Sequence, residues 1–358
     1  MPIRKFNFFL ILLLLPFIAV SLFLVNEISH KLFLKETIYI TIGIIVFIVV
    51  YLIPLRKLLW LIPIIYWINV ALLFLVDIAG IRILGAKRWL KIPFTHMTIQ
   101  PSTFMNTTLL LMLGFLIYKN PPKPFYNFKE FAKLSIYIII PFLLIAKEPD
   151  LGTALILLII GFGILFLVGV NKKIWAFLLI FGVLFTPVYY KYFMKNYQKQ
   201  RIESFLNKPS YHVKQSLIAI GSGGLKGQSK TDATQTQLKF LPIASSDFIF
   251  AYFAERFGFI GVAILLFLYF LLIFYLFYKS EKLKDDYFAK VLYAGVGLMI
   301  FVYSYINISM TMNLGPVVGV PLPLISHGGT SFINFMILFA ILENLIARKE
   351  CINTYGVK

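Results

Sequence analysis

The chain has 358 residues, of which 60% are hydrophobic and 14% charged, and its mean hydropathy is +0.86. This composition excludes a water-soluble enzyme, a disordered chain and a collagen-like chain, and it predicts an all-α polytopic membrane protein. The net charge of +19 does not indicate nucleic-acid binding, because the lysines are scattered through short segments between apolar runs.

Ten apolar runs follow one another along the chain, each near the roughly twenty residues that cross a bilayer. The first follows Arg4 and Lys5, as in a secretory signal, but no small-x-small cleavage site follows it, so we interpret it as a retained helix. The predicted spans are 7–26, 36–54, 58–77, 102–119, 132–147, 151–170, 174–192, 247–278, 288–312 and 328–347. We therefore predict a single transmembrane domain over 1–358.

The distribution of lysine and arginine predicts the sides of the membrane. With ten crossings, the segments on the side of the two termini hold seventeen of these residues, and the short loops opposite hold seven. The positive-inside rule then places both termini in the cytoplasm. The long segment 193–246 is predicted to be an extracytoplasmic loop, and its apolar residues indicate that it folds onto the membrane face.

Two short segments before this loop place polar groups at the predicted outer surface. Lys87 and Arg88 precede Trp89, which fits either an aromatic membrane anchor or a site for an anionic headgroup. Asp150 is expected to cap the sixth span, with direct binding of substrate or a cation as the alternative. We interpret Glu148 as part of a solvated turn.

Three ionisable residues lie in the first three turns of the eighth span, namely Asp247, Glu255 and Arg256. Ionisable groups at membrane depth are costly and are candidates for function. Asp247 shares one helical face with a stripe of small residues, Ala251, Ala254, Gly258 and Gly261. The stripe is either a packing seam or a groove for a lipid tail with Asp247 at its outer mouth.

The segment 315–329 cannot form a regular helix, because glycine and proline recur in it. Such a broken segment is tolerated at the membrane surface or where it lines a cavity. His327 within it is expected to be a hydrogen-bonding neighbour, since the four histidines are dispersed and Cys351 is the single cysteine.

These segments together resemble the SEDS family (shape, elongation, division and sporulation proteins), and within it the RodA branch. The resemblance extends over about two-thirds of the chain, and no single motif carries it. Its pieces are Gly-Ala-Lys-Arg-Trp-Leu at 85–90, Gln-Pro-Ser at 100–102, Pro-Asp-Leu-Gly-Thr-Ala at 149–154, Tyr-Gln at 197–198, Gly-Ser-Gly-Gly-Leu at 221–225, Asp-Phe-Ile-Phe at 247–250 and the stretch 316–329.

The resemblance implies a peptidoglycan glycosyltransferase that polymerises lipid II, an undecaprenyl-pyrophosphate disaccharide-pentapeptide, at the outer face of the bacterial inner membrane during cell elongation. It implies a class B penicillin-binding protein as transpeptidase partner and further membrane proteins of the elongation complex. It implies no organic cofactor. Whether the reaction uses a divalent cation, Mg²⁺ or Mn²⁺, stays open.

The family's essential acid corresponds to Asp247, which would act as general base. Lys87, Arg88 and Arg201 would stabilise the departing pyrophosphate. The full set of residues that we assign to substrate binding is Lys87, Arg88, Trp89, Gln100, Ser102, Asp150, Arg201, Gln215, Ser222, Gly223, Gly224, Thr234, Gln235, Glu255, Ser326, Gly328 and Gly329.

The chain departs from the family pattern at several positions. Thr103 and Asn106 replace a common glutamate and lysine, Ile243 replaces a glutamate, and His327 replaces a tyrosine. Two other functions stay open: a lipid II flippase, which should place its ionisable groups near the midplane, and a non-catalytic scaffold of the elongation complex.

Overall fold

The computed structural model describes residues 8–83, 86–91, 98–148, 150–194, 196–206, 209–233, 245–283 and 285–355. The described part is predominantly helical. Its helices are α1 (Phe8–Ile28), α2 (His30–Leu52), α3 (Leu61–Ala79), α4 (Pro101–Lys119), α5 (Phe128–Lys147), α6 (Leu151–Val168), α7 (Lys172–Val188), α8 (Asn196–Leu206), α9 (Tyr211–Ser222), α10 (Ile249–Lys282), α11 (Tyr287–Thr311) and α12 (Gly329–Tyr355). A π-helical turn at Tyr189–Phe193 extends α7.

Polar contacts identify the two ends of the bundle. At the end that we call the site end, Arg88 pairs with Asp150 at the start of α6, and Arg256 of α10 pairs with Glu27 near the end of α1. At the opposite end, Arg56 pairs with Asp286 before α11. Consecutive helices therefore start at different ends, since α10 begins at the site end and α11 at the opposite end.

Helix α5 is the one predicted span with a short apolar stretch. Nine helices in the described part are long and apolar enough to cross a membrane, and α5 is not among them, since Lys129, Glu130 and Lys133 occupy its first turns. It nevertheless crosses the bundle. Tyr126 before it bridges to Val170 after α6, while its final residue, Lys147, lies 4.0 Å from Asp77 of α3 at the site end.

A small antiparallel sheet covers part of the site end, with strands β1 (Ile81–Ile83), β2 (Ala86–Lys91) and β3 (Thr98–Ile99) in the order β1-β2-β3. Side chains alternate along a strand, so Lys87 and Trp89 point away from the face that carries Arg88. The Lys87 amine donates to the carbonyls of Asp77 and Ile78 at the end of α3, at 2.6 and 3.1 Å. This cation therefore stabilises a helix C-terminus.

Helix α10 bends sharply at Gly258, where φ is +62° and ψ is −166°. The turn after α9 packs into this bend through backbone atoms: Phe259 N–H donates to the Gly224 carbonyl, and Ile260 N–H to the Leu225 carbonyl. A Cβ at Gly223 would collide with the carbonyl oxygen of Ala254. The small-residue stripe is thus a packing seam, and its interpretation as a lipid groove is wrong at Ala254 and Gly258.

The described part of the predicted long loop contains two helices, α8 and α9, and α9 lies on the site end. Its Ser216 hydroxyl is buried and donates to the carbonyl of Thr311 at the end of α11. Helix α7, which leads to this region, has no buried residue. Helix α9 therefore packs onto α10 and α11, while α7 exposes its apolar side chains to the surroundings.

Candidate active site

Asp247 lies two residues before the start of α10, on a segment in which three successive carbonyl groups each accept a hydrogen bond. The Ser245 carbonyl accepts from His327 N–H at 2.8 Å, and the Ser246 carbonyl accepts from the Ser326 hydroxyl at 2.7 Å. The Asp247 carbonyl accepts from the Asn307 amide at 2.9 Å. Three successive peptide units are therefore fixed by α11 and by the broken segment 315–329.

The carboxylate of Asp247 is half-buried beside Gly319, where a Cβ would lie 3.5 Å from Oδ2. Burial raises the pKa of Asp247 above its ordinary value, and a hydrogen bond from Ser246 lowers it in part. A carboxylate with a pKa nearer neutrality is a better proton acceptor at physiological pH. The site thus holds one half-buried carboxylate, on a fixed backbone segment, that is suited to general-base chemistry.

Val318, the residue next to Gly319, connects this aspartate to the start of α6. Its side chain packs so closely on Gly152 that a Cβ there would collide with it. The predicted groups Asp247 and Asp150 therefore lie on either side of one short backbone segment.

A polar cluster surrounds the start of α6. Asp150 Oδ1 accepts from Thr153 N–H at 3.3 Å, which confirms its predicted role as helix cap. Its Oδ2 lies 3.4 Å from Arg88 Nη1 and accepts from the Gln100 amide at 3.4 Å. Gln100 also donates to Ser102 at 3.0 Å. The structure thus brings together four residues that the sequence assigns to substrate binding.

Glu148 is a buried member of this region, and its interpretation as a solvated residue is wrong. Only 2% of the residue is exposed, and neither carboxylate oxygen has a hydrogen-bond partner among the described residues. Burial, together with Asp150 and Asp77 nearby, raises the pKa of Glu148 to about 8, against a smaller lowering effect of Arg88. The carboxyl is therefore protonated at neutral pH.

This raised pKa predicts a pH-dependent stability. In the unfolded chain Glu148 ionises near 4.5, whereas the folded chain holds the proton to about pH 8, so its contribution to stability falls as pH rises through this window. Glu148→Gln is expected to remove that slope and to raise the thermal midpoint at pH 8 by about 2 °C or more. The exposed Glu203→Gln is the control for thermal unfolding in detergent between pH 5 and 9. Parallel wild-type and Glu148→Gln curves would contradict the prediction.

Several other predicted residues have structural contacts. The Ser222 hydroxyl donates to the Ala219 carbonyl, Gly223 packs on Ala254, and Gly224 accepts from Phe259. Glu255 is fully buried, and its carbonyl accepts from Gln228 N–H. Direct substrate contact by Gly223 or Glu255 is therefore not favoured by their surroundings.

The remaining predicted substrate-binding residues either make structural contacts inside the protein or lie nearer its surface. The Ser326 hydroxyl accepts from Leu322 N–H as well as donating to Ser246, and Gly329 packs against the ring of Tyr39. Gly328 lies beside it at the start of α12. On the helices of the loop, Arg201 is exposed and Gln215 is half-buried. Thr234, Gln235 and Ile243 lie outside the described residues.

Binding of a divalent cation at this site stays a prediction. Across the ranges that the structure describes, no three side chains of histidine, cysteine, aspartate or glutamate converge as a metal site would require. His327 binds Glu36, in agreement with its expected role as a hydrogen-bonding neighbour. Asn106, at a position where the chain departs from the family, donates to the Tyr303 hydroxyl at 2.7 Å inside the bundle.

Sequence reasoning missed three residues of this site, Asn307, Glu36 and Glu148. Asn307 donates to the carbonyls of both Asp247 and Val320. The signal for Asn307 and Glu36 was a polar residue within an apolar helix, which is unfavourable unless it has a partner.

The chain is similar to known proteins over most of its length. The family model for FtsW, RodA and SpoVE, described as cell cycle protein, matches residues 3–350. A Helicobacter pylori protein named peptidoglycan glycosyltransferase MrdB is 54% identical over 93% of this chain and 88% of its own length. The Escherichia coli K12 protein of the same name is 36% identical over 88% of this chain and 85% of its own.

Solved structures share the fold at lower identity. A structure of a peptidoglycan synthase complex that coordinates polymerization and crosslinking matches with a TM-score of 0.81 at 23% identity, covering 96% of this chain and 98% of that chain. The Thermus thermophilus rod shape determining protein RodA matches with a TM-score of 0.72, also at 23% identity, covering 95% and 96%. At this identity the likeness establishes the arrangement of helices.

Proposed function

The chain belongs to the family of FtsW, RodA and SpoVE cell cycle proteins, and we propose that it joins lipid II units into glycan strands with Asp247 as general base. It is a peptidoglycan glycosyltransferase, the activity named for relatives that share 36% and 54% of its residues over most of both chains. It acts in peptidoglycan polymerisation during cell elongation.

The reaction transfers a sugar from a lipid pyrophosphate to a sugar hydroxyl. The acceptor oxygen forms a bond to the anomeric carbon of the donor as the bond from that carbon to the pyrophosphate breaks. The pyrophosphate leaves with the bonding electron pair, and Asp247 takes the hydroxyl proton. Hydrogen bonds to the carbonyls of residues 245–247 hold the backbone that carries this carboxylate, so the base is placed before substrate arrives.

Arg88 stabilises the charge that develops on the leaving pyrophosphate. Its guanidinium lies at the site end, next to the start of α6, where backbone N–H groups and the helix dipole also favour an anion. Asp150 orients this guanidinium through their ion pair, and Gln100 in turn donates a hydrogen bond to Asp150. A divalent cation bound with the pyrophosphate would neutralise the same charge.

One observation carries the proposal: the half-buried carboxylate of Asp247 lies on a backbone segment held by three hydrogen bonds, at the same end of the bundle as the ion pair of Arg88 and Asp150. A flippase would place its ionisable groups near the midplane. The test supplies lipid II to the detergent-purified chain, alone and with its cognate class B penicillin-binding protein. Glycan strands made without another glycosyltransferase support the proposal. Absence of polymer under both conditions would contradict it and favour a lipid II flippase or a non-catalytic scaffold.

We propose that the partner is a class B penicillin-binding protein, which cross-links the strands while this chain extends them. The resemblance of the fold to a structure described as coordinating polymerization and crosslinking supports this pairing. Further membrane proteins of the elongation complex would bind the same assembly. A co-purification of the tagged chain with its transpeptidase from membranes tests the pairing, and recovery of the chain alone would contradict it.

The protein is a bacterial inner-membrane protein, and we propose that both termini face the cytoplasm. The excess of lysine and arginine at the opposite end of the bundle supports this orientation. Cys351 is the single cysteine, so an impermeant maleimide should label it in spheroplasts only after permeabilisation. In a Cys351→Ser background, Glu203→Cys, at an exposed position of α8, should be labelled without permeabilisation. The reverse pattern would invert the topology.

A further inference from the structure

His327 connects the segment that carries Asp247 to a distant helix, α2. Its backbone N–H donates to the Ser245 carbonyl at 2.8 Å, two residues before the catalytic aspartate. Its ring Nδ1 lies 2.5 Å from Oε2 of Glu36 on α2. The position of the Ser245 peptide unit therefore depends on where α2 holds this imidazole.

Glu36 is well suited to hold that ring in place. Its side chain is 1% exposed and that of His327 is 18% exposed, so the hydrogen bond is largely shielded from water. A buried carboxylate that lost its partner would keep its full desolvation cost. The pair is thus expected to persist in one geometry.

A second contact fixes the same stretch of chain against α2. Gly329 lies so close to the ring of Tyr39 that a Cβ there would collide with it, and this ring is 6.3 Å from the His327 ring. Helix α2 also packs along α12, which begins at Gly329. Residues 327–329 therefore cannot shift without moving α2.

We propose that Glu36 and His327 are positioning residues of the transferase, which set the place of Asp247 through the Ser245 carbonyl. The family motif commonly has tyrosine at position 327, so a carboxylate-imidazole pair is a feature of chains with histidine there. The inference rests on the proposed role of Asp247. Neither residue is required to touch substrate.

The test compares wild type with Glu36→Gln, His327→Gln and the double variant in the lipid II polymerisation assay. A misplaced base should lower kcat about 10- to 100-fold with KM changed by less than about twofold. The double variant should resemble either single one, because the two residues act as a unit. Glu36→Gln keeps the shape of the side chain and decides the outcome should His327→Gln fail to fold.

The pH profile distinguishes positioning from a loss of folded protein. A displaced Asp247 becomes more exposed, so the acid limb of kcat should move to lower pH in both single variants. His327→Gln has no imidazole at this position, and His212, whose ring is 6.2 Å from that of Phe248, is present in every variant. A shift of the acid limb that both single variants share is therefore attributed to a lowered pKa of Asp247.

Arg56→Gln is the matched control, because it breaks the ion pair with Asp286 at the opposite end of the bundle. It should leave the acid limb unchanged. Wild-type kcat in the Glu36 and His327 variants, or a reduced kcat with an unshifted limb, would overturn the inference. Activity retained by Asp247→Asn would instead refute the proposed function, so the two failures are distinguishable.

Discussion

Replacing Asp247 with asparagine is expected to lower the rate of glycan polymerisation about 10²- to 10⁴-fold while the bundle stays folded. Asparagine has nearly the same shape but cannot accept the hydroxyl proton. The backbone contacts that fix this segment involve carbonyls and remain available in the variant. Strand formation from lipid II by the purified variant, followed over time by gel electrophoresis, measures the loss.

Two further variants make this result specific. Asp285→Asn removes an exposed carboxylate at the opposite end and should polymerise at the wild-type rate. Arg88→Gln in the same assay should reduce the rate if the guanidinium stabilises the leaving pyrophosphate. An Asp247→Asn protein that retains more than about a tenth of the wild-type rate would rule out general-base catalysis by this residue, given the usual size of such contributions.

Replacing Gly258 with alanine is expected to destabilise the protein by about 3 kcal/mol or more and to reduce the folded yield sharply. The residue has a φ of +62°, which alanine adopts only with strain. Its Cβ would also collide with the backbone nitrogen of Gly227 and the carbonyl of Leu225. Because these are main-chain atoms, no side chain can rotate to relieve the collision.

Gly221→Ala is the matched control for this prediction, since it lies close in sequence to the same turn and a Cβ there meets no atom within 4 Å. Thermal unfolding in detergent, monitored by the fraction that stays monodisperse, measures both variants. Equal midpoints for Gly258→Ala and Gly221→Ala would show that the bend in α10 is adaptable.

The fold was largely predictable because membrane spans are long and almost uniformly apolar, so each run is a strong signal. The boundary between α5 and α6 has a weak sequence signal, since only a short turn separates the two helices. The bend at Gly258 could not be foreseen. Its cause is the turn 223–228, which is close in space and distant along the chain, and a run of apolar residues contains no information about that neighbour.

The site was predictable where residues recur in a recognisable order, as for Asp247, Arg88, Asp150 and Gln100. It was not predictable where a residue's role depends on a partner far along the chain. Glu36 and His327 are separated by almost the whole sequence, and nothing local distinguishes a buried Glu148 from a solvated one. Conversely, Gly223 of the glycine-rich turn was assigned to substrate binding, but its close neighbour is the backbone of Ala254.

The short apolar stretch of α5 has a consequence for the surrounding lipid. Residues 134–146 would span only about 20 Å as a helix, whereas the hydrocarbon layer of a bilayer is about 30 Å thick. Ile136, Ile139 and Leu143 face outward, so acyl chains contact this stretch directly. The lipids beside α5 must shorten, or Lys129 and Lys133 must extend to the headgroups, and both responses are easier in a thin membrane. Acyl-chain length is therefore one of the quantities that set how well this bundle fits its membrane.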